Sequence, residues 1–184
     1  MHFDIRPATP ALAPLIAPIL LPACAEVIAH LLGADDEAEA LRFLGHWLAR
    51  PANLYSYENT QTLWLGDELA AALIGYDGDD FDRLQAPLLA TLRPGLDWPR
   101  ESDEDFYIDT LAVAPHHRGR GLGEALLGHQ LQQRPASTLL VADDKPRAKR
   151  FYARLGFGPW GRKTLAGHHY EVLRYVRPTT GEKS

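Results

Sequence analysis

Between Phe106 and Leu127 the chain reads FYIDTLAVAPHHRGRGLGEALL. The apolar run Phe106 to Val113 predicts a buried strand, Pro115 opens a turn, and a helix follows three alternating glycines, Gly119, Gly121 and Gly123. A glycine loop at a helix start leaves several backbone N–H groups without an intrahelical acceptor. The helix dipole adds positive potential there, and Arg118 and Arg120 add full charges that a diphosphate can accept, so the stretch is a seat for phosphate and predicts a phosphorylated ligand without saying which. Two widespread phosphate patterns do not match. A P-loop needs Lys followed by Ser or Thr after its last glycine, and a dinucleotide fingerprint needs glycine three residues after its second; position 124 is Glu.

Around this unit the chain alternates strand and helix signals. Phe3 and Ile5 mark a short first strand. Pro10, Pro14, Pro18 and Pro22 recur every fourth residue, which predicts short, kinked helical pieces before a firmer helix from Ala23 to Leu32, stopped by Gly33. A second helix is capped by Asp35 or Asp36 and carries Leu41, Leu44, Trp47 and Leu48 on one face. Thr62 to Leu65 and Leu69 to Tyr76 form a hairpin, and Trp64 and Trp160 are core candidates. The connection from Asp77 to Asp105 is long enough to need structure or a task; Phe81 to Leu92 suits a short helix, and the segment is either a lid beside an acceptor pocket or a surface insertion. Its acidic runs, DGDDFD and ESDED, are either solvated faces or a negative mouth that attracts an amine. Beyond the loop come a helix to about Gln133, a strand Thr138 to Ala142 parallel to the strand Phe106 to Val113, a helix from about Pro146 to Leu155, and strands near Gly158 to Leu165 and His169 to Val176.

At 184 residues, one domain over 1–178 with a frayed tail at 179–184 is expected. No apolar run of roughly 18 residues is evident, and the N-terminus lacks the basic-then-apolar order of a secretory leader. A single cysteine, Cys24, excludes an internal disulfide and suits a reducing cytoplasm; no cationic neighbours activate it. The formal charge of −5 argues against a general nucleic-acid binder, and neither nucleic acid nor membrane is an expected partner. The adjacent pairs His116-His117 and His168-His169 point their side chains apart on a strand or turn, so no metal site is expected.

The letters Arg118, Gly119, Arg120, Gly121, Leu122, Gly123, preceded by Leu111-Ala112-Val113-Ala114-Pro115, resemble the coenzyme A loop of the GNAT superfamily of acyl-CoA-dependent N-acyltransferases. A second stretch, Ala148 to Phe157, resembles that family's helix bearing a tyrosine and ending in Gly-Phe, and residues 60 to 176 follow its layout. The resemblance implies an α/β (α+β) fold: a mixed, mostly antiparallel sheet of six to seven strands, helices on both faces, splayed at its central strands. It also implies acetyl-CoA as acyl donor, a primary amine of a small molecule or peptide as acceptor, and direct attack. The runner-up is an acyl-CoA-binding sensor or structural module without catalysis. A homodimer through a late edge strand is plausible.

Residue roles follow. The resemblance places the diphosphate on Arg118, Gly119, Arg120, Gly121, Leu122 and Gly123, and the pantetheine arm along Leu111, Ala112 and Val113 in the splayed gap. It implies that the Leu111 N–H holds the oxyanion and that Tyr152 protonates the leaving thiolate, though Tyr152 also suits core packing. An amine nucleophile must lose a proton, and strict alternation puts Asp105, Tyr107, Asp109 and Leu111 on one face of the strand. Asp109 is the first candidate base and Asp105 the second, unless Asp109 only satisfies donors in the sheet. Lys145 stands where the family often has a cofactor-holding asparagine, and with Arg147, Lys149 and Arg150 it is a candidate phosphate contact or part of a solvated basic face.

Overall fold

Seven strands form one sheet in the computed structural model, which describes residues 2–92, 105–165 and 167–178. In chain order the elements are β1 (Asp4–Pro7), α1 (Ala13–Leu32), α2 (Glu37–Leu48), β2 (Thr60–Leu65), β3 (Glu68–Asp77), α3 (Phe81–Leu89), β4 (Phe106–Val113), α4 (Leu122–Leu131), β5 (Ala136–Ala142), α5 (Pro146–Arg154), β6 (Gly158–Leu165) and β7 (His168–Val176). The spatial order is β1-β2-β3-β4-β5-β7-β6, antiparallel at every junction except the parallel β4–β5. This is the expected mixed sheet. One core packs α1, α2 and α3 against one face, and a second packs α4 against the other. The tail 179–184 and most of the acidic end of the long connection, Glu101 to Glu104, lie outside the described residues.

Helix α1 departs from the expected broken pieces. It runs unbroken through Pro18 and Pro22 and ends where Gly33, at φ 71°, takes the left-handed cap. A proline inside a helix orphans the carbonyl four residues earlier. Spacing the prolines by four puts Pro14, Pro18 and Pro22 on one solvent-exposed face, where carbonyls that lose a helical donor can be hydrated, while Ile16, Leu20, Ile28 and Leu31 bury the opposite face. The segment Pro10–Leu32, with mean hydropathy 2.0, is long and apolar enough by length and composition to cross a membrane, contrary to expectation, although its inner face is core. Asp36 caps α2 by accepting from Glu39 N–H at 2.9 Å. Trp64 is buried, but Trp160 is 63% exposed and stacks under Arg174, whose guanidinium carbon sits 4.5 Å from the ring.

The pairing of β3 with β4 holds the feature that strict alternation misses. Ile74 faces Thr110 and Gly75 faces Ile108, so Asp109 has no partner opposite it: it is the extra residue of a β-bulge. The bulge resets the parity. Tyr107 and Ala112 pack with the α1 core, whereas Ile108, Leu111 and Val113 pack with the α4 core, so Leu111 does not share the face of Tyr107. Gly75 lets the strands close here, because a Cβ at that position would lie 2.5 Å from the Phe106 ring and 3.0 Å from the Tyr107 carbonyl. Gly75→Ala is therefore expected to destabilise the fold by about 1–3 kcal/mol, the usual cost of overpacking, read as a lowered midpoint in denaturant unfolding. An unchanged midpoint would mean the bulge does not need glycine.

Candidate active site

Strands β4 and β5 pair at only two positions, Phe106 with Ser137 and Tyr107 with Thr138. Beyond them β4 stays with β3 and β5 stays with β7, so the sheet opens. A cleft of about 1230 Å³ fills the opening, with Leu111, Ala112 and Val113 along one side and Leu140, Val141 and Ala142 along the other. Which backbone groups of β4 face it follows from one bond: Ala114 N–H donates to Ala70 C=O at 2.8 Å. Bonded and non-bonded pairs alternate in an antiparallel ladder. Counting back, Ala112–Ala72 and Thr110–Ile74 are bonded pairs, whereas Val113–Ala71 and Leu111–Leu73 are not. The N–H and C=O groups of Leu111 and Val113 therefore point away from β3 and into the cleft.

One end of the cleft is the glycine loop. Gly119 and Gly121 sit at φ 76° and 77°, and Gly121 is the N-cap of α4. Among the described residues, the N–H groups of Gly119, Gly121, Leu122 and Gly123 donate to no protein acceptor. Gly123 is needed for another reason: its Cβ would come within 3.3 Å of Val113. Arg118 lines the cleft and donates from Nε to Val113 C=O at 3.2 Å. Arg120 does not line it; its Nη1 lies 2.8 Å from Nδ1 of His117. The histidine pair does not splay as expected. The rings of His116 and His117 are 4.2 Å apart, and both Nε2 atoms face Glu68.

The other end holds Asp109. Its Oδ1 accepts from the Thr110 hydroxyl at 2.7 Å and its Oδ2 from the Tyr76 hydroxyl at 3.2 Å. Burial raises its pKa above the ordinary aspartate value, and the two hydroxyl donors offset only part of that rise. Tyr76, Tyr107, Phe81 and Tyr55 line the cleft around it, so α3, at the start of the long connection, contributes one wall. Cys24 also faces the cleft; burial, and then the charge of Asp109, push its thiol far up, which keeps it protonated. Tyr76 and Thr110 are site residues that sequence reading missed, because no local pattern says which hydroxyls a bulged aspartate will meet.

Asp105 does not join Asp109. It forms a two-pronged pair with Arg174, Nε to Oδ2 at 2.6 Å and Nη2 to Oδ1 at 3.1 Å, outside the cleft. Tyr152 does join. Helix α5 has no fully buried residue: Ala148, Phe151 and Tyr152 pack against the α4-side core and also border the cleft. Burial of the Tyr152 hydroxyl raises its pKa to about 12. Lys145 caps the start of α5 and lines the cleft, with Nζ 3.6 Å from Glu26 and 3.5 Å from Asp144. Arg147 lines the cleft too, whereas Lys149 pairs with Asp143 at 2.8 Å and Glu171 at 3.1 Å.

Comparisons with known proteins agree with this geometry. A family model described as an acetyltransferase (GNAT) domain matches residues 95–159. The chain is 32% identical over 74 residues to the peptidyl-lysine N-acetyltransferase YjaB of Salmonella typhimurium strain LT2, covering 39% of this chain and 51% of that protein. It is 33% identical over 69 residues to the YjaB of Escherichia coli K12, covering 36% and 47%. It thus spans about half the length of the curated relatives it matches. Among solved structures, an N-acetyltransferase from Staphylococcus aureus Mu50 superposes with a TM-score of 0.76 at 21% identity, covering 94% of this chain and 100% of that one. A Corynebacterium glutamicum structure described as histone acetyltransferase HPA2 and related acetyltransferase gives 0.72 at 22%, covering 98% and 100%. Both share the fold. The glycine loop, the parted strands and the tyrosine-bearing helix stand in their expected order, and over residues 95–159 the chain matches the GNAT acetyltransferase domain.

Proposed function

We propose that this protein transfers the acetyl group of acetyl-CoA to a primary amine, which attacks the thioester directly with no acyl-enzyme formed. The observation that supports this most is the set of backbone groups at Leu111 and Val113 turned into an open cleft that has uncommitted loop amides at one end and an enclosed carboxylate at the other. The loop amides and Arg118 suit the diphosphate, and the Val113 and Leu111 edge suits the amides of the pantetheine arm, as an added strand would pair. The acceptor is an amine carried by a small molecule or a peptide. Peptidyl-lysine, named for the YjaB relatives, is one member of that class.

Three groups divide the chemistry. Asp109 takes the proton from the attacking nitrogen, directly or through one water, and its raised pKa makes it a stronger base than an ordinary aspartate. The Leu111 N–H donates to the carbonyl oxygen as it gains charge. The carbon–nitrogen bond forms and the carbon–sulfur bond breaks. Tyr152, at about 12, is a weaker acid than a thiol near roughly 8.5. Full proton transfer to sulfur is therefore uphill, and the hydroxyl acts by a charge-assisted hydrogen bond to the departing thiolate.

The test is a panel of amines, including lysine peptides and polyamines, incubated with acetyl-CoA and followed by thiol release. Coenzyme A binding with no amine-dependent release would instead make the protein a binding module. Asp109→Asn is expected to lower kcat about 10²- to 10⁴-fold, the range of a lost general base. Tyr152→Phe is expected to lower it about 10- to 100-fold, the worth of one hydrogen bond to a charged group; unchanged turnover would remove that hydroxyl from the mechanism.

The same aspartate carries a stability prediction. The folded state binds its proton more tightly than the unfolded chain, so wild-type stability declines as pH rises from the ordinary aspartate value to the raised one, and levels off above it. Asp109→Asn lacks that decline and is expected to have the higher melting temperature at pH 7. Parallel melting curves from pH 4 to 8 check this, and a variant that melts below wild type at neutral pH would contradict it.

A further inference from the structure

Glu68 opens β3, His116 and His117 lie in the turn after β4, and Arg120 lies in the glycine loop; contacts link all four. His116 Nε2 is 2.8 Å from Glu68 Oε1, His117 Nε2 is 3.1 Å from Oε2, and His117 Nδ1 is 2.8 Å from Arg120 Nη1. His117 is 6% exposed, and Glu68 is open to solvent. A guanidinium only donates, so Nδ1 of His117 accepts, and the neutral ring carries its proton on Nε2, toward Glu68. The angle there falls short of a hydrogen bond, which leaves a buried N–H held by charge–dipole attraction. The same tautomer argues against a metal. Glu68, His116 and His117 bring ligand atoms within 4.8 Å of one another, but a protonated ring nitrogen has no lone pair to offer.

We propose that His117 is a positioning residue for the acyl donor, bracing the diphosphate loop between Glu68 and Arg120. The inference rests on the reading that this loop seats the diphosphate. Gly119 and Gly121 hold left-handed conformations without side chains to restrict them, so nothing local to those residues keeps the amides aimed. An unbraced loop would lose conformational freedom on binding, at a cost in affinity. His117 supplies the brace: one ring nitrogen grips the loop through Arg120, and the other faces the sheet through Glu68. The Arg120 guanidinium thus shapes the loop from outside the cleft, while Arg118 borders it.

The test measures, by titration calorimetry, the affinity for coenzyme A and for pantetheine, which lacks the diphosphate. His117→Phe is expected to weaken coenzyme A about tenfold and pantetheine less than about twofold, because only the diphosphate contacts lose their alignment. His117→Gln, whose amide can accept from Arg120 and donate toward Glu68, is expected to bind coenzyme A within about threefold of wild type. Glu68→Ala, at an exposed position that tolerates truncation, is expected to weaken coenzyme A about threefold. That sign is informative, since removing a negative charge beside a phosphate seat would by electrostatics alone tighten binding. Equal losses for both ligands, tighter binding by Glu68→Ala, failure of His117→Gln to restore affinity, or a chelator that weakens the wild type would each overturn the proposal. Wild-type protein that binds coenzyme A no more tightly than pantetheine would overturn the diphosphate reading itself.

Discussion

The molecule turns on a hydrogen-bonding conflict in the middle of its sheet. β4 and β5 begin as a parallel pair and separate after two residue positions, each continuing with its other neighbour. A buried strand edge with unpaired N–H and C=O groups is costly unless something else pairs with it. Here the cost falls on Leu111 and Val113, β4 residues whose backbone polar groups face the gap, and among the described residues only Val113 has part of its capacity met, by Arg118. The opening suits an occupant that is itself an extended chain of amides, as the proposed acyl donor is. That demand shapes the surroundings: α5 turns its apolar side to the cleft, and the loop before α4 leaves its amides uncommitted.

The bulge at Asp109 is coupled to the same event. One extra residue on β4 shifts Leu111 and Val113 onto the α4 side and leaves a carboxylate where the strands begin to part. Had β4 kept strict alternation, Asp109 would share a face with Leu111, and the backbone groups now turned to the gap would fall one residue away. Bulges commonly re-aim a side chain beside a site, and this one also explains why a glycine stands opposite, where the Phe106 ring leaves no room for a Cβ. The electrostatics follow from the packing. Asp109 is crowded by aromatic rings and receives two hydroxyl donors, so it keeps its proton more readily than a solvated aspartate, while Asp105, four residues earlier on the chain, is held by a guanidinium outside the cleft.

Much of this was legible before any coordinates. The β4 boundaries, the hairpin of β2 and β3, the helix from Pro146 and the last two strands follow from periodicity and from Gly and Pro punctuation, which act over a few residues. The amide-exposing loop is local for the same reason: three alternating glycines at a helix start expose amides whatever the rest of the chain does. The prolines of α1 misled because each reads locally as a break, and only the burial of the opposite face shows that the fourfold spacing keeps the prolines on the exposed side. Trp160 misled in the opposite direction, as a large apolar ring that lies on the surface under Arg174.

Short-range patterns therefore account for the elements and for the glycine loop with its uncommitted amides, since propensity, capping and glycine conformation depend on neighbours in the chain. Which carboxylate faces the cleft did not follow from them. Asp105 and Asp109 look alike in sequence, and their fates separate through partners far along the chain: Arg174 for one, and Tyr76 across a bulged register for the other. The brace of Glu68, His117 and Arg120 is hidden for the same reason. A strand register is a collective property of two segments, and one extra residue in it redirects every side chain beyond, which no window along a single segment can register.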